Sequence, residues 1–323
     1  RRLIMKVLIT GAAGYIGSNL ALTLREQGLS PFGIDAFDDY YSPEIKRANA
    51  ARLKARGIDL FECDLATDDI DSIVRRADAI VHLAAQPGIS ATTPWSDYHK
   101  NNIIATHRLI EAAMQSERLA LFANISSSSV YGIHATDTEE MPAKPASWYG
   151  ATKLATEQEA LAMQRSMGLP ACSLRLFSVY GPRERPEKLF PKLIKSIAND
   201  TAFPLYGSAR DHQRSFTYVS DICDAILATL RHKDRVIGEI LNIGTDLCFT
   251  TGEAIETVEA VMGKRAKINP IEARPGDQKA THANIEKARK LLDWEPKTDL
   301  KSGVAQTVEW YMNEVHGKIE WKE

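Results

Sequence analysis

A tyrosine and a lysine at helical spacing are the residues of this sequence with the most evident chemistry. Tyr149 and Lys153 fall in a segment, Trp148–Met167, whose pattern predicts a long helix, so their side chains share one face, one turn apart. An ammonium group beside a phenol stabilises the phenolate and lowers the phenol pKa from about 10 toward neutral pH, which makes the tyrosine a general base. Such a pair is common and means little alone. Here it follows a serine-rich strand end, residues 126–129, which favours a catalytic role.

Three glycines near the start of the sequence are a second candidate for chemistry. Gly11, Gly14 and Gly17 follow the apolar run 7–9 and precede a helical pattern of leucines within 20–24. A glycine turn between a buried strand and a helix can bind phosphate. The first glycine permits the tight turn, the second lets the backbone approach a pyrophosphate at the helix N-terminus, and the third lets helix pack on strand. An ordinary strand-to-helix turn is the alternative interpretation.

The next predicted strand ends in an acidic residue. Residues 32–34 lead to Asp35, about 20 residues after the glycines. At this place a carboxylate accepts a hydrogen bond from the adenosine ribose 2′-hydroxyl and repels a 2′-phosphate. The sequence therefore predicts NAD, and not NADP, as the bound nucleotide.

Composition and charge restrict the partners. The 323 residues are 44% hydrophobic and 25% charged, which predicts a large core and two lobes. The formal net charge of -2 gives no general attraction for nucleic acid or an anionic membrane, so an anionic ligand must be held by local arginines. We expect no membrane span and no signal peptide. The four cysteines lack metal-ligand spacing and indicate thiols in a reducing cytoplasm, and we expect no metal.

Strands and helices alternate along the chain, which predicts a parallel sheet. The expected fold class is α/β, a Rossmann-type doubly wound parallel sheet with a smaller C-terminal substrate-binding lobe. Residues 1–177, completed by 217–245, form the predicted NAD-binding domain, and 178–216 with 246–323 form the second lobe. The predicted strands lie at 6–9, 32–35, 59–61, 79–83, 121–125 and 172–177, and the long helices at 95–116 and 148–167.

Polar and small residues follow several of these strands, where ligands of such sheets bind. Asp64 follows the third strand and could accept a hydrogen bond from an adenine amino group; a helix N-cap for residues from 68 onward is the alternative. In the second lobe, Arg214, Arg274 and Asp277 stand in loops bounded by glycine or proline. A guanidinium fork matches diphosphate or carboxylate geometry, so these arginines predict a second anionic ligand, with solvated surface charges as the alternative.

These motifs together resemble the extended short-chain dehydrogenase/reductase family, over essentially the whole chain. The likeness is carried by residues 10–17 (TGAAGYIG), 126–132 (SSSSVYG), 149–153 (YGATK) and 274–277 (RPGD). Within the family, residues 35–41 with Lys46 and Arg47, and residues 175–183, most resemble UDP-glucuronate 4-epimerases. The resemblance implies a UDP-sugar substrate, bound NAD and a homodimer formed by the helices 95–116 and 148–167.

The motifs and the resemblance together assign the site residues. The predicted catalytic residues are Ser127, Tyr149 and Lys153. The predicted NAD-binding residues are Gly11, Gly14, Tyr15, Ile16, Gly17, Asp35, Lys46, Asp64, Leu65, Leu83, Ala84, Ala85, Gln86, Asn101, Tyr149, Lys153 and Val179. The predicted substrate-binding residues are Pro87, Gly88, Ser126, Ser127, Ser128, Tyr149, Ser178, Arg185, Tyr206, Arg214, Arg274 and Asp277.

The resemblance implies one reaction. Tyr149 removes the 4-hydroxyl proton while C4 passes a hydride to NAD, the 4-keto sugar turns about its diphosphate linkage, and the hydride returns to the other face. Serines 126–128 on one wall, with Ser178 and Arg185 on another, would hold a uronate carboxylate. The alternative is that the serines only finish a strand and that Arg185 faces solvent.

The sequence also departs from its relatives. Relatives of the glucuronate type usually carry an Arg-Tyr pair where this chain has Ser90 and Ala91, which weakens the substrate assignment. Dehydratase relatives carry Asp-Glu where this chain has Ser128 and Ser129, so no acid is in place to expel a 6-hydroxyl. The alternatives are a 4-epimerase of UDP-glucose/UDP-galactose or of UDP-N-acetylhexosamines, a net oxidoreductase or dehydratase, and a catalytically silent NAD-binding regulator.

Overall fold

A parallel sheet of seven strands forms the centre of the molecule. The computed structural model describes residues 4–90, 92–207, 209–272 and 278–319. The strands are β1 (Lys6–Thr10), β2 (Ser30–Asp35), β3 (Leu60–Glu62), β4 (Ala79–His82), β5 (Leu121–Ser127), β6 (Ala171–Leu176) and β7 (Ile240–Ile243). The sheet order is β7-β6-β5-β4-β1-β2-β3, and all neighbouring strands run parallel. The Rossmann-type doubly wound fold predicted from the sequence is confirmed.

Helices follow the strands, and several have clear end signals. The helices are α1 (Tyr15–Glu26), α2 (Pro43–Ala55), α3 (Asp71–Val74), α4 (Trp95–Tyr98), α5 (Ala105–Met114), α6 (Trp148–Met167), α7 (Leu189–Ala198), α8 (Val219–Arg231), α9 (Lys233–Val236), α10 (Thr251–Met262), α11 (Glu286–Leu292) and α12 (Leu300–Trp310). Thr250 and Glu253 form a capping box at the start of α10, and Ser147 Oγ accepts the Gly150 N–H at the start of α6.

Alternate residues of each central strand point into two different apolar cores. Ile9 on β1 and Val81 on β4 pack into the core that contains leucines of α1 and isoleucines of α8. Their neighbours Leu8 and Ile80 pack into the core on the opposite face, beneath α5 and α6. Because both faces are covered, the strands are apolar almost throughout, as is typical of parallel sheets.

A third apolar core lies between elements that follow β6. It is built from α7, α10 and α12, together with the strand Ala202–Tyr206, which pairs with Lys267–Ile271. Short strands connect this part with residues that follow β5, because Ala280–Thr281 pairs with His134–Ala135. The position of the predicted domain boundaries stays a prediction. Among the helices of the described ranges, none is both long and apolar enough to cross a membrane.

The predicted helix 95–116 is interrupted. It consists of α4, a π-helical segment over His99–Ile104, and α5. The sequence pattern does not reveal the wider π turn, because α4 and α5 on either side of it keep the ordinary helical spacing of apolar residues. π segments are rare and often occur at functional sites.

Candidate active site

The glycine turn after β1 is packed so tightly that side chains would not fit. The Gly11 N–H donates to the Ile34 carbonyl of β2 at 2.8 Å, and Gly11 has a φ of +70°. A Cβ atom on Gly11 would lie 3.0 Å from the Ala84 amide nitrogen, and one on Gly17 would lie 2.2 Å from the Gly11 carbonyl oxygen. No side chain caps the start of α1, where Gly14, Tyr15 and Ile16 are half-buried; we call the backbone of this turn the cradle.

Asp35 stands at the end of β2, beside this cradle. Its Oδ2 accepts the Ala13 N–H and its Oδ1 accepts the Phe37 N–H, both at 2.9 Å. Burial raises the pKa of the carboxyl group, while these N–H groups and the Lys46 ammonium lower it. Lys46 is itself buried and contacts Asp38 at 2.9 Å. The strand order reverses at β1, with β2 on one side and β4 on the other, which is where nucleotides bind in such sheets.

Asp64 follows β3 and has a different local role from the helix cap considered above. Its Oδ1 accepts the Ala66 N–H at 2.8 Å in a turn, and the next helix begins only at Asp71. The capping alternative is therefore wrong. The Lys100 ammonium contacts Asp64 Oδ2 at 2.7 Å, and the neighbouring Leu65 carbonyl accepts from Arg108 at 2.8 Å.

The turn after β4 is held by the π segment. Leu83, Ala84 and Ala85 are half-buried, and the Ala84 N–H donates to Thr10 Oγ1 at 3.1 Å. Asn101 Nδ2 lies 3.4 Å from Gln86 Oε1, and Asn102 Oδ1 accepts the Gln86 N–H at 2.6 Å.

Asn102 was missed by sequence reasoning. It is buried and also donates to Thr152 Oγ1 at 2.8 Å, so it ties the turn to α6 beside Lys153. The Gln86 side-chain amide nitrogen is buried and has no partner within the described residues. Such an atom fits a polar group of a bound ligand, and with the glycine cradle it makes the site suitable for a dinucleotide.

Tyr149 and Ser127 come together where β5 ends and α6 begins. The Ser127 hydroxyl accepts the Ser129 N–H at 3.1 Å and is close enough to the Tyr149 phenol to lower the pKa of that phenol. Burial raises the pKa of Tyr149, and the Ser127 hydrogen bond and the Arg185 charge lower it only in part. The expected lowering toward neutral pH is therefore wrong for the protein alone, because desolvation of the phenolate outweighs the neighbouring charges.

Lys153 is buried one turn further along α6. Burial lowers its pKa to about 8, and the negative charge of Glu157 opposes that effect. Burial, with a further contribution from the Lys153 charge, lowers the pKa of the His82 imidazole at the end of β4 to about 3. The neutral imidazole lies 2.8 Å from both Thr10 Oγ1 and Thr106 Oγ1, which fixes the strand end beside Lys153.

Arg185 faces this group from the segment that follows β6. Its side chain is 12% exposed and contacts Glu187 at 2.9 Å, and its guanidinium lies 5.8 Å from the centre of the Tyr40 ring. The alternative that Arg185 faces solvent is therefore wrong. Burial opposes its charge, but Glu187 and nearby tyrosines raise its pKa.

The Pro87–Gly88 turn lies against the same arginine. A Cβ atom on Gly88 would lie 3.5 Å from an Arg185 terminal nitrogen. The Tyr98 hydroxyl donates to the Gly88 carbonyl at 2.8 Å, which anchors the turn on α4. Ser90 stabilises the chain beyond it by accepting N–H groups of Thr92 and Thr93, and Ala91 lies outside the described residues.

The second lobe reaches the serine turn through Gln278, which sequence reasoning also missed. Gln278 Nε2 donates to the Ser128 carbonyl at 3.2 Å, and the main-chain carbonyl of Gln278 accepts a hydrogen bond from the Arg214 guanidinium. Ser126 and Ser128 are buried, and the Ser126 hydroxyl has no partner within the described residues. Arg274 and Asp277 lie outside the described residues.

The remaining predicted site residues contact segments that follow β6 in the chain. Ser178 Oγ lies 3.4 Å from Thr281 Oγ1, and Val179 pairs with Thr217. Tyr206 pairs with Ile271 at the end of its strand. These contacts alone do not bring Val179 or Tyr206 to the Tyr149 group.

The fold and the site define a class of protein: a dinucleotide-binding Rossmann enzyme with a tyrosine, lysine and serine grouped at the strand ends. The model of the NAD dependent epimerase/dehydratase family matches residues 7–244. The chain belongs to this family.

Relatives and solved structures with high coverage are similar to the chain. It is 34% identical to the Bacillus subtilis protein YtcB, described as an uncharacterized UDP-glucose epimerase, over 97% of this chain and 100% of YtcB. It is 33% identical to UDP-glucuronate 4-epimerase 4 of Arabidopsis thaliana, over 96% of this chain and 76% of that protein. The structure of Bacillus cereus UDP-glucuronic acid 4-epimerase, in complex with UDP-glucuronic acid and NAD, superimposes with a TM-score of 0.91 at 34% identity. That likeness covers 95% of this chain and 99% of the other.

Proposed function

We propose that this protein inverts the C4 hydroxyl of a UDP-sugar, UDP-glucuronate to UDP-galacturonate, with tightly held NAD and no net redox. The observation that carries the proposal is the grouping of the Tyr149 phenol with the Ser127 hydroxyl and the buried Arg185 guanidinium. A base, a hydroxyl partner and a carboxylate donor are the groups that a uronate 4-epimerase needs around one sugar ring. The likeness to UDP-glucuronate 4-epimerases over nearly the whole chain supports the same substrate.

NAD fits the cradle at the start of α1. The N-terminal turn of α1 would receive the pyrophosphate, and Asp35, with Lys46 behind it, would accept the adenosine ribose hydroxyl. We propose that Asp64 and Leu65 face the adenine and that the turn 83–86, Asn101 and Val179 enclose the nicotinamide half. When bound, NAD supplies a hydride acceptor that takes the C4 hydrogen and gives it back.

The residues of this chain move the proton. Tyr149 takes the proton of the 4-hydroxyl as the C4 hydrogen leaves, and returns it after the 4-keto sugar has turned over. Ser127 donates to the sugar oxygen and orients it. Lys153 stabilises the phenolate and holds the nicotinamide ribose. Because burial raises the pKa of Tyr149 in the protein alone, its activation depends on the positive charges that surround it in the loaded site.

The second lobe, residues 178–216 and 246–323, would hold the nucleotide of the substrate. Arg214, Arg274 and Asp277 are the candidates for the uridine diphosphate, with Tyr206 beside them. Gln278 supports this arrangement because it connects Arg214 to the Ser128 carbonyl. Pro87 and Gly88 would line the sugar, opposite Arg185.

A UDP-glucose 4-epimerase is the second candidate. It is favoured by the likeness to YtcB and by the replacement of the Arg-Tyr pair at positions 90 and 91. A dehydratase is disfavoured because positions 128 and 129 carry buried serines, which cannot act as the acid that expels a 6-hydroxyl.

The experiment is turnover without added cofactor. Purified protein is incubated separately with UDP-glucuronate, UDP-glucose and UDP-N-acetylglucosamine, and the products are separated by chromatography while absorbance reports NADH. We expect UDP-galacturonate over many turnovers with no NADH in solution. NADH in proportion to product would indicate a net oxidoreductase, and turnover of UDP-glucose alone would establish the second candidate.

We also propose that the protein is a cytoplasmic homodimer. The helices 95–114 and 148–167 carry exposed apolar side chains, including Ile104, Met114 and the contacting rings of Trp95 and Trp148, 5.1 Å apart. The free thiols of Cys63, Cys172, Cys223 and Cys248 are consistent with a reducing compartment. Sedimentation equilibrium tests the dimer, and a mass of 35.8 kDa in solution would contradict it.

A further inference from the structure

A buried ion pair lies one helical turn beyond Lys153. Arg175 on β6 donates to Glu157 on α6 through Nε, 3.0 Å from Oε2, and through Nη2, 2.6 Å from Oε1. The Glu157 side chain is fully buried, and that of Arg175 is 3% exposed. Ser173 Oγ donates to Oε2 at 3.3 Å. This two-pronged geometry fixes the orientation of the carboxylate.

The folding stability that this ion pair contributes does not explain why the two charges are buried. The cost of removing two charges from water offsets much of their attraction, and apolar residues of similar volume often stabilise an interior at least as well. Its position is more informative. Glu157 is four residues from Lys153, on the same helical face, and the Arg175 guanidinium lies 4.7 Å from the centre of the Tyr131 ring. Tyr131 ends the short helical turn that follows Ser127.

We propose that Glu157 is a positioning residue for Tyr149 and Lys153: its carboxylate, fixed by Arg175, keeps the Lys153 ammonium charged and directed along the helix face toward Tyr149. This inference rests on the proposed epimerase function. It extends that function by assigning a role to a buried charge that touches neither sugar nor NAD.

The electrostatic surroundings of Lys153 support this role. Burial lowers the pKa of Lys153 to about 8, near working pH, and Glu157 is the group that opposes the loss of its proton. His82 faces Lys153 from β4 and remains neutral at working pH, since its pKa is about 3. Other charged groups act further out: Arg185 lowers the pKa of Tyr149, and Arg175 lowers and Glu139 raises that of Tyr131.

Glu157→Gln tests the charge with little change of shape, because the amide oxygen can still accept from Arg175. Loss of a nearby negative charge favours deprotonation of both Tyr149 and Lys153, so the pKa values of both groups fall. We therefore expect the whole pH profile of kcat to move toward lower pH, by about one pH unit. A merely structural role would lower kcat at every pH and leave the profile in place. Glu159→Gln is the matched control on the same helix, because Glu159 pairs with His107, and its profile should not move.

A second variant separates the effect of losing the Glu157 charge from the effect of leaving Arg175 buried and unpaired. Glu157→Gln/Arg175→Gln removes both buried charges, so we expect its thermal stability to exceed that of the single variant. Its kcat profile should still be shifted to lower pH relative to that of the unchanged protein, because the carboxylate is absent. A profile that returns fully to its original place would assign the effect to unpaired Arg175 and overturn the proposal.

A readout that needs no substrate distinguishes this inference from the proposed function. The Lys153 signal is followed through a pH titration by NMR of isotope-labelled lysine Cε, and it is identified by its loss in Lys153→Met. In Glu157→Gln we expect Lys153 to titrate at lower pH, and an unchanged titration would refute the role of Glu157. Failure of the unchanged protein to epimerise any UDP-sugar would instead refute the proposed function.

Discussion

Arg185 provides a quantitative test of substrate choice. Arg185→Ala removes a guanidinium whose side chain is 12% exposed and therefore weakly screened by water. A hydrogen bond to a charged group contributes about 1.5–3 kcal/mol, so kcat/KM for UDP-glucuronate should fall about 10- to 150-fold. Any activity on UDP-glucose, which has no carboxylate at this place, should change little. The Glu187 partner is 32% exposed and can be hydrated, so we expect loss of this pair to lower the free energy of unfolding by less than about 1 kcal/mol.

The assay compares kcat/KM for both sugars in the variant and in a control. Arg265→Ala serves as the control because Arg265 is an 83% exposed arginine that pairs with Glu259. It should change neither value. Equal losses on both sugars in Arg185→Ala would refute the reasoning, since Arg185 would then bind the diphosphate that both substrates share.

Two further substitutions test the proposed general base and the proposed acceptor of the NAD ribose. Tyr149→Phe should keep NAD bound and the fold intact while turnover falls by about 10² to 10⁴, measured by nucleotide content and product formation; nearly full activity would contradict a base role. Asp35→Asn keeps an oxygen that can accept the Ala13 N–H but removes the charge, so NAD should bind more weakly and the exclusion of NADP should relax, measured by titration of both nucleotides. An unchanged ratio of the two affinities would count against Asp35 as the ribose acceptor.

The sequence predicts best what depends on local pattern. The positions of six central strands along the chain, the start of α1 at the glycines and the placement of Asp35 at a strand end follow from apolar runs and turn residues. The helix Trp148–Met167 begins and ends where its pattern predicts. In each case neighbouring residues along the chain contain the signal.

The residues that the sequence does not reveal connect distant segments. Asn102 joins the turn after β4 to α6, and Gln278 joins the second lobe to the serine turn. Glu157 and Arg175 belong to different elements, and each alone resembles an ordinary surface charge. The direction of the Tyr149 pKa also could not be predicted, because it depends on how deeply the phenol is buried. The spacing of the two residues predicts that Lys153 lies near Tyr149, but it does not predict how much water is excluded from the phenol.

The disposition of two glutamates near Arg185 is a further argument for a uronate substrate. A free carboxylate beside the sugar would repel the C5 carboxylate and favour loss of carbon dioxide from the 4-keto sugar. Glu187 pairs with Arg185 at 2.9 Å. Burial raises the pKa of Glu184, despite the opposing charges of Lys188 and Arg185, and so disfavours its charged form. One of these carboxyl groups is paired and ionisation of the other is disfavoured, while the wall formed by Ser126, Ser127 and Ser128 offers neutral donors. Such a distribution of charge can hold a uronate through both halves of the reaction without promoting its decarboxylation.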